Sequence, residues 1–569
     1  MATDGAGRER RFCAPEVRRF RTAYTSLANL PPEAGGAYLS RSPTVEVLPD
    51  NVLLEIFDHW QDRLSSAGWE HPWEWHRLVH VCQKWRGRVV FSSLRRLDLR
   101  LFCSNGTPVK EILRFWPQLL IVMRYGGFLG SKPTSPEEEE NLLTTLRQPH
   151  RISEIWLTIT GLLSDRLGAE MQTEMPSLET LRLMVQDKAE LLLPDDFLGG
   201  SAPRLSVISL YGIAFPALPK LLSTPNLLSL KLWNIPSSGC FSPEALVLGL
   251  SGIAQLKSLT IHFTSPMRHH HASNPPPSGH IVLPTLTNLK FCGDSEYLEA
   301  IVTRIDTPLL ELIDLSFFNR LVFKIPHLSS FARRTSQLAS PTQAKIYASG
   351  SSVSIILIHQ PPAGTAHTTI PAQLRLQVSC RQFDWQLSAI FQISSQLLPL
   401  FSSVGQLDIR AFPPPASGRD DLDPAQWIEL LWLFDSVERL RVVDELVLDV
   451  ARALQRVTSE QELELFPALR ELSLSNSLNL TAALEAIAPF LSIRQLSGYP
   501  IIVYNWDTSS FIDKEWSQLR FKEHGRALPV HWGATTIVHC LVSPIIMYIS
   551  TGCKMSMLFK AGVAVWNSP

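Results

Sequence analysis

The residues of this chain most able to do chemistry are three adjacent histidines, His269, His270 and His271, and eight cysteines, Cys13, Cys82, Cys103, Cys240, Cys292, Cys380, Cys540 and Cys553. Imidazoles and thiolates ligate metals, and a thiolate beside a base is a nucleophile. The spacing supports neither use. Neighbouring histidines in a Pro- and Ser-rich loop point in different directions, and no carboxylate or cysteine stands near them in sequence to complete a ligand set. No two cysteines form a CxxC pair, and they scatter over the whole length, which predicts a reduced, intracellular chain, cytoplasmic and/or nuclear, without a zinc framework. Cys82 falls on the apolar stripe of a predicted helix, where a small buried hydrophobe is expected. No Gly-rich phosphate loop follows a predicted strand, and neither GxSxG nor HExxH occurs. These observations predict a chain without its own active site, bound metal or cofactor, whose polar residues serve recognition.

The elements that would position such residues are legible from a recurring phrase. A hexamer with apolar residues at its first, fourth and sixth places starts at Leu94, Ile152, Leu178, Leu205, Leu227, Leu256, Leu286, Leu310, Val404, Val437 and Leu469, as in LETLRL from Leu178. Between Ile152 and Leu310 the starts lie about 22 to 30 residues apart, close to the period of leucine-rich repeats. Pro176, Pro203, Pro225, Pro284, Pro308 and Pro467 stand two residues upstream, where a proline ends the preceding segment and favours an extended lead-in to a strand. Each unit can bury its apolar places only against its neighbours, so the pattern predicts a solenoid with one continuous core. The residue between the fourth and sixth places should then project from the strand face. In order these include Trp156, Arg182, Ser209, Lys231, Thr260, Lys290 and Asp314. Arg182, Lys231 and Lys290 form a predicted basic stripe, which together with Trp156 would suit a protein target presenting acidic or phosphorylated residues.

Between Leu310 and Val404 the hexamer is missing, although KIYASGSSVSIILI and QLRLQVSC read as strands, so a divergent insertion is expected near 320–400. The stretches 268–279 and 411–419 are Pro-rich and polar and read as loops. In SPEEEENLL, Ser135 should cap a helix whose first residue is Pro136, with Glu137 to Glu140 at its positive end.

The 569 residues include 52 basic and 53 acidic side chains, so no global field draws the chain to nucleic acid or to an anionic membrane. Aromatic residues fall on repeat faces rather than among basic clusters, and no nucleic-acid partner is expected. The first 43 residues are arginine-rich without an apolar core and read as a solvated tail rather than a secretory signal. Residues 506–569 depart from the repeat pattern, as a C-terminal tail or a gene-prediction artefact would. Their apolar run from Ile537 to Met547 is short of the roughly 20 residues a spanning helix needs, so no membrane association is expected.

Two amphipathic helices are predicted ahead of the repeats. LPDNVLLEIFDHW sets Leu53, Ile56, Phe57 and Trp60 on one face, and WEWHRLVHVCQKWRGRVV sets Leu78, Val81, Cys82, Trp85 and Val89 on one stripe. With Leu48 and Pro49 at the start, Ile56 and Phe57 following, and Val81, Cys82, Trp85 and Arg86 at the end, this segment resembles the F-box. It differs in a longer connection from Leu64 to Trp75. The chain as a whole resembles the F-box proteins with leucine-rich-repeat-like C-terminal domains of mushroom-forming, basidiomycete-type fungi. The resemblance implies an α/β architecture, a helical F-box bundle over 44–93 followed by a repeat solenoid over 94–505. It implies the substrate receptor of a Skp adaptor–cullin–F-box ubiquitin ligase. Leu48, Pro49, Leu53, Ile56, Phe57, Val81, Cys82, Trp85 and Arg86 would then bind the Skp-type adaptor, and through it cullin, by direct contact or by forming the core that shapes the contact. The alternative is a repeat scaffold for protein interaction without a ligase role.

Overall fold

The computed structural model describes residues 98–104, 106–115, 119–126, 135–185, 191–193, 197–214, 224–266, 280–318, 323–335, 338–349, 351–359, 371–379, 383–411, 424–443, 446–460, 465–475 and 480–505. The F-box-like segment with its nine adaptor-binding candidates, both predicted tails and the His269–His271 triplet lie outside the described residues. Two compact units divide the chain, the first running to Ile313 and joined by Arg334 and Thr335, the second beginning at Asp314.

In the first unit the hexamers become parallel strands. Their order follows the sequence: β1 (Asp98–Phe102), β2 (Leu120–Tyr125), β3 (Ile152–Ile159), β4 (Thr180–Val185), β6 (Val207–Tyr211), β8 (Ser229–Ile235), β9 (Ser258–Phe263), β11 (Asn288–Gly293) and the start of β13 (Leu312–Phe317). Behind this sheet the chain makes two small parallel pairs, β5 (Leu191–Leu192) with β7 (Ile213–Ala214) and β10 (Ile281–Val282) with β12 (Ile305–Asp306). The helices α1 (Val109–Phe115), α2 (Pro136–Leu146), α3 (Gly161–Glu170), α4 (Pro243–Leu250) and α5 (Ser295–Val302) complete the connections.

Alternation explains why each phrase is a strand with one buried side. Leu178, Leu181 and Leu183 are 0%, 0% and 3% exposed, and the corresponding residues of the hexamers from Leu205, Leu227, Leu256 and Leu286 are equally buried. Each fully buried leucine contributes about 1.5–3 kcal/mol of transfer free energy, so the column of stacked leucines is the main support of the array. Adjacent units are also tied by a repeated backbone device. The carbonyl of the second hexamer residue accepts two N–H groups from the following unit, as Glu179 O does from Ser206 and Val207 at 2.9 and 3.1 Å, and Lys257 O from Thr287 and Asn288 at 3.0 Å each.

The upstream prolines act differently from the extended lead-in expected. Pro176, Pro203, Pro225, Pro284, Pro308 and Pro467 each sit second in a four-residue turn. In each turn the N–H of the first hexamer residue donates to a carbonyl three residues back, as Leu205 N does to Ala202 O at 3.0 Å. Proline presets the φ required at that place, and its missing N–H is not needed there. The first phrase is also shifted. Leu101, two residues beyond the sixth place of its hexamer, pairs through Met123 with Ile155, the fourth-place residue of the next hexamer.

The predicted cap of α2 is complete. Ser135 Oγ accepts from Glu138 N at 3.2 Å, while Glu138 Oε2 accepts from Ser135 N at 2.9 Å. Asn141 on the same helix donates to Ser104 O and Thr107 O, fastening the loop after β1. Gly126 closes β2 with φ +83°, and a Cβ there would lie 2.6 Å from Thr158 Cβ. Gly106 has φ +78° but nothing within 4 Å of the same atom. Gly126→Ala is therefore expected to cost about 2–3 kcal/mol in urea denaturation, against about 1 kcal/mol for Gly106→Ala, where only the left-handed backbone is penalised.

The second unit contains the stretch without hexamers. There β14 (Gln343–Ala348), β15 (Ser352–His359) and β16 (Ala372–Ser379) form an antiparallel meander. Parallel pairing resumes from β14 through β17 (Gln406–Ala411), β18 (Arg439–Val443), β19 (Glu471–Ser475) and β20 (Ile502–Asn505). Its helices are α6 (Pro326–Arg334), α7 (Phe383–Gln396), α8 (Leu398–Phe401), α9 (Pro424–Leu431), α10 (Leu446–Glu460) and α11 (Leu480–Leu496). Neighbouring helices pack on one another, α10 on α11 and α9 on α10. Trp427 and Phe434 are 1% and 0% exposed, and Phe434 meets Phe401 edge-on at 5.0 Å. Gln396 joins α7 to the segment before α6, accepting from Ile325 N and donating to Phe323 O, both at 2.7 Å. Among the described residues no helix is long and apolar enough to cross a membrane.

Candidate functional site: the strand face of the first unit

Strand alternation sends every second residue of the first unit's sheet away from the leucine core. Parallel pairing in register then turns these residues into rows that cross the strands. The central row is Arg124, Trp156, Arg182, Ser209, Lys231, Thr260 and Lys290. The four target-binding residues predicted from sequence, Trp156, Arg182, Lys231 and Lys290, thus share one row, and all four are partly exposed. Thr260 departs from the expectation of exposure. It is 2% exposed, a short side chain set one strand away from the long side chains of Lys231 and Lys290.

At one end of the row Trp156 is held between two guanidinium groups. Arg124 Cζ lies 4.0 Å from the ring centroid and Arg182 Cζ 4.2 Å. Each contact is worth about 0.5–2 kcal/mol depending on desolvation, and the pair fixes the indole plane across the strands. Arg124 itself is 7% exposed, so it supports Trp156 more than it faces solvent. Further along, burial holds the Lys231 ammonium below the usual lysine range, and the positive charges of Arg182 and Lys290 push it the same way. Lys231 therefore lies close enough to each of them to feel its charge. The central row and the rows on either side carry a single carboxylate from β3 to β11, that of Glu154.

The row two residues further along the strands is aromatic in its middle. It contains Thr158, Met184, Tyr211 and Trp233, with His262 and Cys292 beyond an irregularity in β8. Asn234, at φ +52°, makes that irregularity and donates from Nδ2 to the Tyr211 hydroxyl. Trp233 meets the His262 ring at 5.5 Å. Burial pushes the His262 ring below the usual imidazole range, so the unfolded chain binds its proton first as pH falls. The stability this histidine contributes is present above about pH 6.5 and is lost as pH falls through the lower folded value. His262→Gln should flatten the decline in unfolding free energy on going below about pH 6.5, measured by urea denaturation at pH 7.5 and 5.5.

Sequence reasoning missed Arg124, because LIVMRY of β2 lacks the hexamer, and it missed the aromatic row. The usable signal for the latter was the place directly after each sixth-place residue, occupied by Tyr211, Trp233 and His262.

Neither Cys103 nor Cys240 has a nucleophilic setting. Burial pushes the Cys103 thiol up to about 12, opposed by its 3.6 Å contact with Thr145 Oγ1. Burial and then the Asp294 carboxylate raise Cys240. Among the described residues no group of three or more His, Cys, Asp or Glu is placed to hold a metal ion.

The described residues are mixed α/β, and in the first unit parallel strands at a period of about 25 residues, one leucine column and one polar face resemble a leucine-rich-repeat solenoid. No protein-family model matches the chain, and no curated protein sequence does. Among solved structures, an internalin from Listeria monocytogenes aligns with 66% of this chain and 91% of its own length, at 12% identity and a TM-score of 0.24. A likeness that slight carries no argument, and the repeat architecture rests on the register and burial above.

Proposed function

We propose that this chain is a non-catalytic, target-binding subunit of a Skp adaptor–cullin–F-box ubiquitin ligase. In this reading the segment 44–93 docks the adaptor, and the strand face of the repeats holds a protein target. The observation that carries target binding is the in-register row of Trp156, Arg182, Lys231 and Lys290 across parallel strands, a wide polar and aromatic surface standing on an apolar interior. Extended surfaces of this kind are what stacked repeats offer partners. The adaptor half rests on Leu48, Pro49, Ile56, Phe57, Val81, Cys82, Trp85 and Arg86, whose spacing resembles the F-box.

The test is capture of a recombinant Skp-type adaptor by the full chain. Wild type should retain it, and Ile56→Asp with Phe57→Asp should lower retention at least tenfold, because two charges on one helical face prevent its apolar burial. Failure of the wild type to capture any adaptor would leave a repeat scaffold for protein interaction without a ligase role.

A further inference from the structure

The accessible cations of the central row recur at alternate strands. Arg182 is on β4, Lys231 on β8 and Lys290 on β11, with Ser209 on β6 and Thr260 on β9 between them. Paired strands lie about 4.8 Å apart, so successive cations stand on backbones about 9.6 Å apart, and the first and last about 19 Å apart. A ligand running along the row crosses the strands. It meets side chains rather than open backbone groups, and must satisfy its own backbone elsewhere.

Extended peptides meet this spacing differently according to their twist. A β-strand presents every second residue on one face, about 6.7 Å apart, and falls out of step at the second cation. An α-helix returns to the same face after seven residues, about 10.5 Å, and overshoots the third cation by nearly 2 Å. A polyproline II helix has three residues per turn at about 3.1 Å each, so every third residue faces the same way about 9.3 Å apart. It stays within about 1 Å of all three cations. Its backbone is fully solvated and asks nothing of the sheet. The neighbouring row supplies Tyr211 and Trp233, and aromatic-lined grooves are what proline-rich polyproline II segments dock into.

We propose that the strand face of the first unit binds an acidic, proline-containing segment in the polyproline II conformation. Carboxylate or phosphate groups at every third residue engage Arg182, Lys231 and Lys290. This deepens the receptor reading, on which it rests, by naming the class of target. The segment lies across β4 to β11, with its anions over the cation row and its prolines against Tyr211 and Trp233. Trp156, clamped by Arg124 and Arg182, closes the end of the site at β3.

The test uses the full chain and fluorescent peptides of one composition, each with three phosphoserines in a Pro-rich background. In one the phosphoserines are at every third residue, in a second at every second, and in a third at every seventh. Fluorescence anisotropy should show the every-third peptide binding at least tenfold tighter than the others. Lys231→Glu and Lys290→Glu should each weaken it at least tenfold, while Lys257→Glu, an exposed lysine at the strand lead-in, leaves it within twofold. Equal binding of the three peptides, no binding of any, or tighter binding of a single-stranded oligonucleotide would overturn the proposal. Adaptor capture measured on the same preparation separates the two readings. Retained capture without spacing preference removes only the target class, and spacing preference without capture removes only the ligase role.

Discussion

Leu230→Ala should lower the stability of the first unit by about 3–4 kcal/mol and loosen the strands on both sides of it. Leu230 is 0% exposed at the fourth place of its hexamer, in register with Ile208 on β6 and with Leu259 on β9, both also 0% exposed. Removing three methylene-equivalent groups from such a position costs the lost transfer free energy and a cavity that rigid neighbours on either side cannot fill. In a stacked array the missing contact is shared by two interfaces, so the loss spreads along the array before it spreads across it. Hydrogen exchange should therefore quicken first in β6, β8 and β9. Leu248→Ala on α4 is the matched control: Leu248 is 67% exposed, and its loss should change stability by less than about 0.5 kcal/mol. Equal effects of the two substitutions in urea denaturation would contradict the stacked-column account.

A second large effect is expected at Asp408 in the other unit. Its carboxylate is 2% exposed and lies in a row with Lys345 before it and Arg441 after it. Asp408 accepts from Gln343 Nε2 at 3.3 Å and from Gln406 Nε2 at 3.4 Å, and Arg410 approaches to 3.7 Å. It is the one carboxylate in the row Lys345, Asp408, Arg441, Ser473 and Tyr504. Asp408→Ala removes the countercharge and two hydrogen-bond acceptors together, and a buried pair broken on one side typically costs about 3–5 kcal/mol. Asp408→Asn keeps the size and part of the hydrogen bonding, so the difference between the two variants isolates what the shape contributes. Differential scanning calorimetry should show the melting temperature falling in Asp408→Ala by more than in Asp408→Asn. Identical shifts would mean that the lost charge accounts for the whole effect and that shape contributes nothing there.

How much of this was legible depended on whether a short pattern repeated. The buried places of the hexamers from Leu178 to Leu310 were readable because one periodic rule governs six stacked units, and the same rule placed Trp156, Arg182, Lys231 and Lys290 on one row. β2 was not readable. Its four successive buried residues, Ile121 to Arg124, replace alternation, and the register slips between Ile121 and Val122. The meander of β14 to β16 gave strand composition without topology, since alternating Val, Ile and Leu look alike whether the partner strand runs parallel or antiparallel. The prolines are legible in the sequence, but a turn with proline second and an extended lead-in share one signature, and only the backbone hydrogen bond distinguishes them. Thr260 shows the limit of face arithmetic. Alternation fixes which way a side chain leaves the backbone, and the length of its neighbours decides whether solvent reaches it.

The alternation of long and short side chains along the central row bears on how such a gene can change length. Repeat arrays grow and shrink by unequal crossing-over, one unit at a time. In this sheet a single unit gained or lost between β4 and β11 would leave the leucine column intact while moving Lys290 out of phase with Arg182 by one strand, about 4.8 Å. Two units gained or lost together would restore the phase. Length variants of this protein that keep the same partner should therefore differ by even numbers of repeats, a parity that folding alone does not impose.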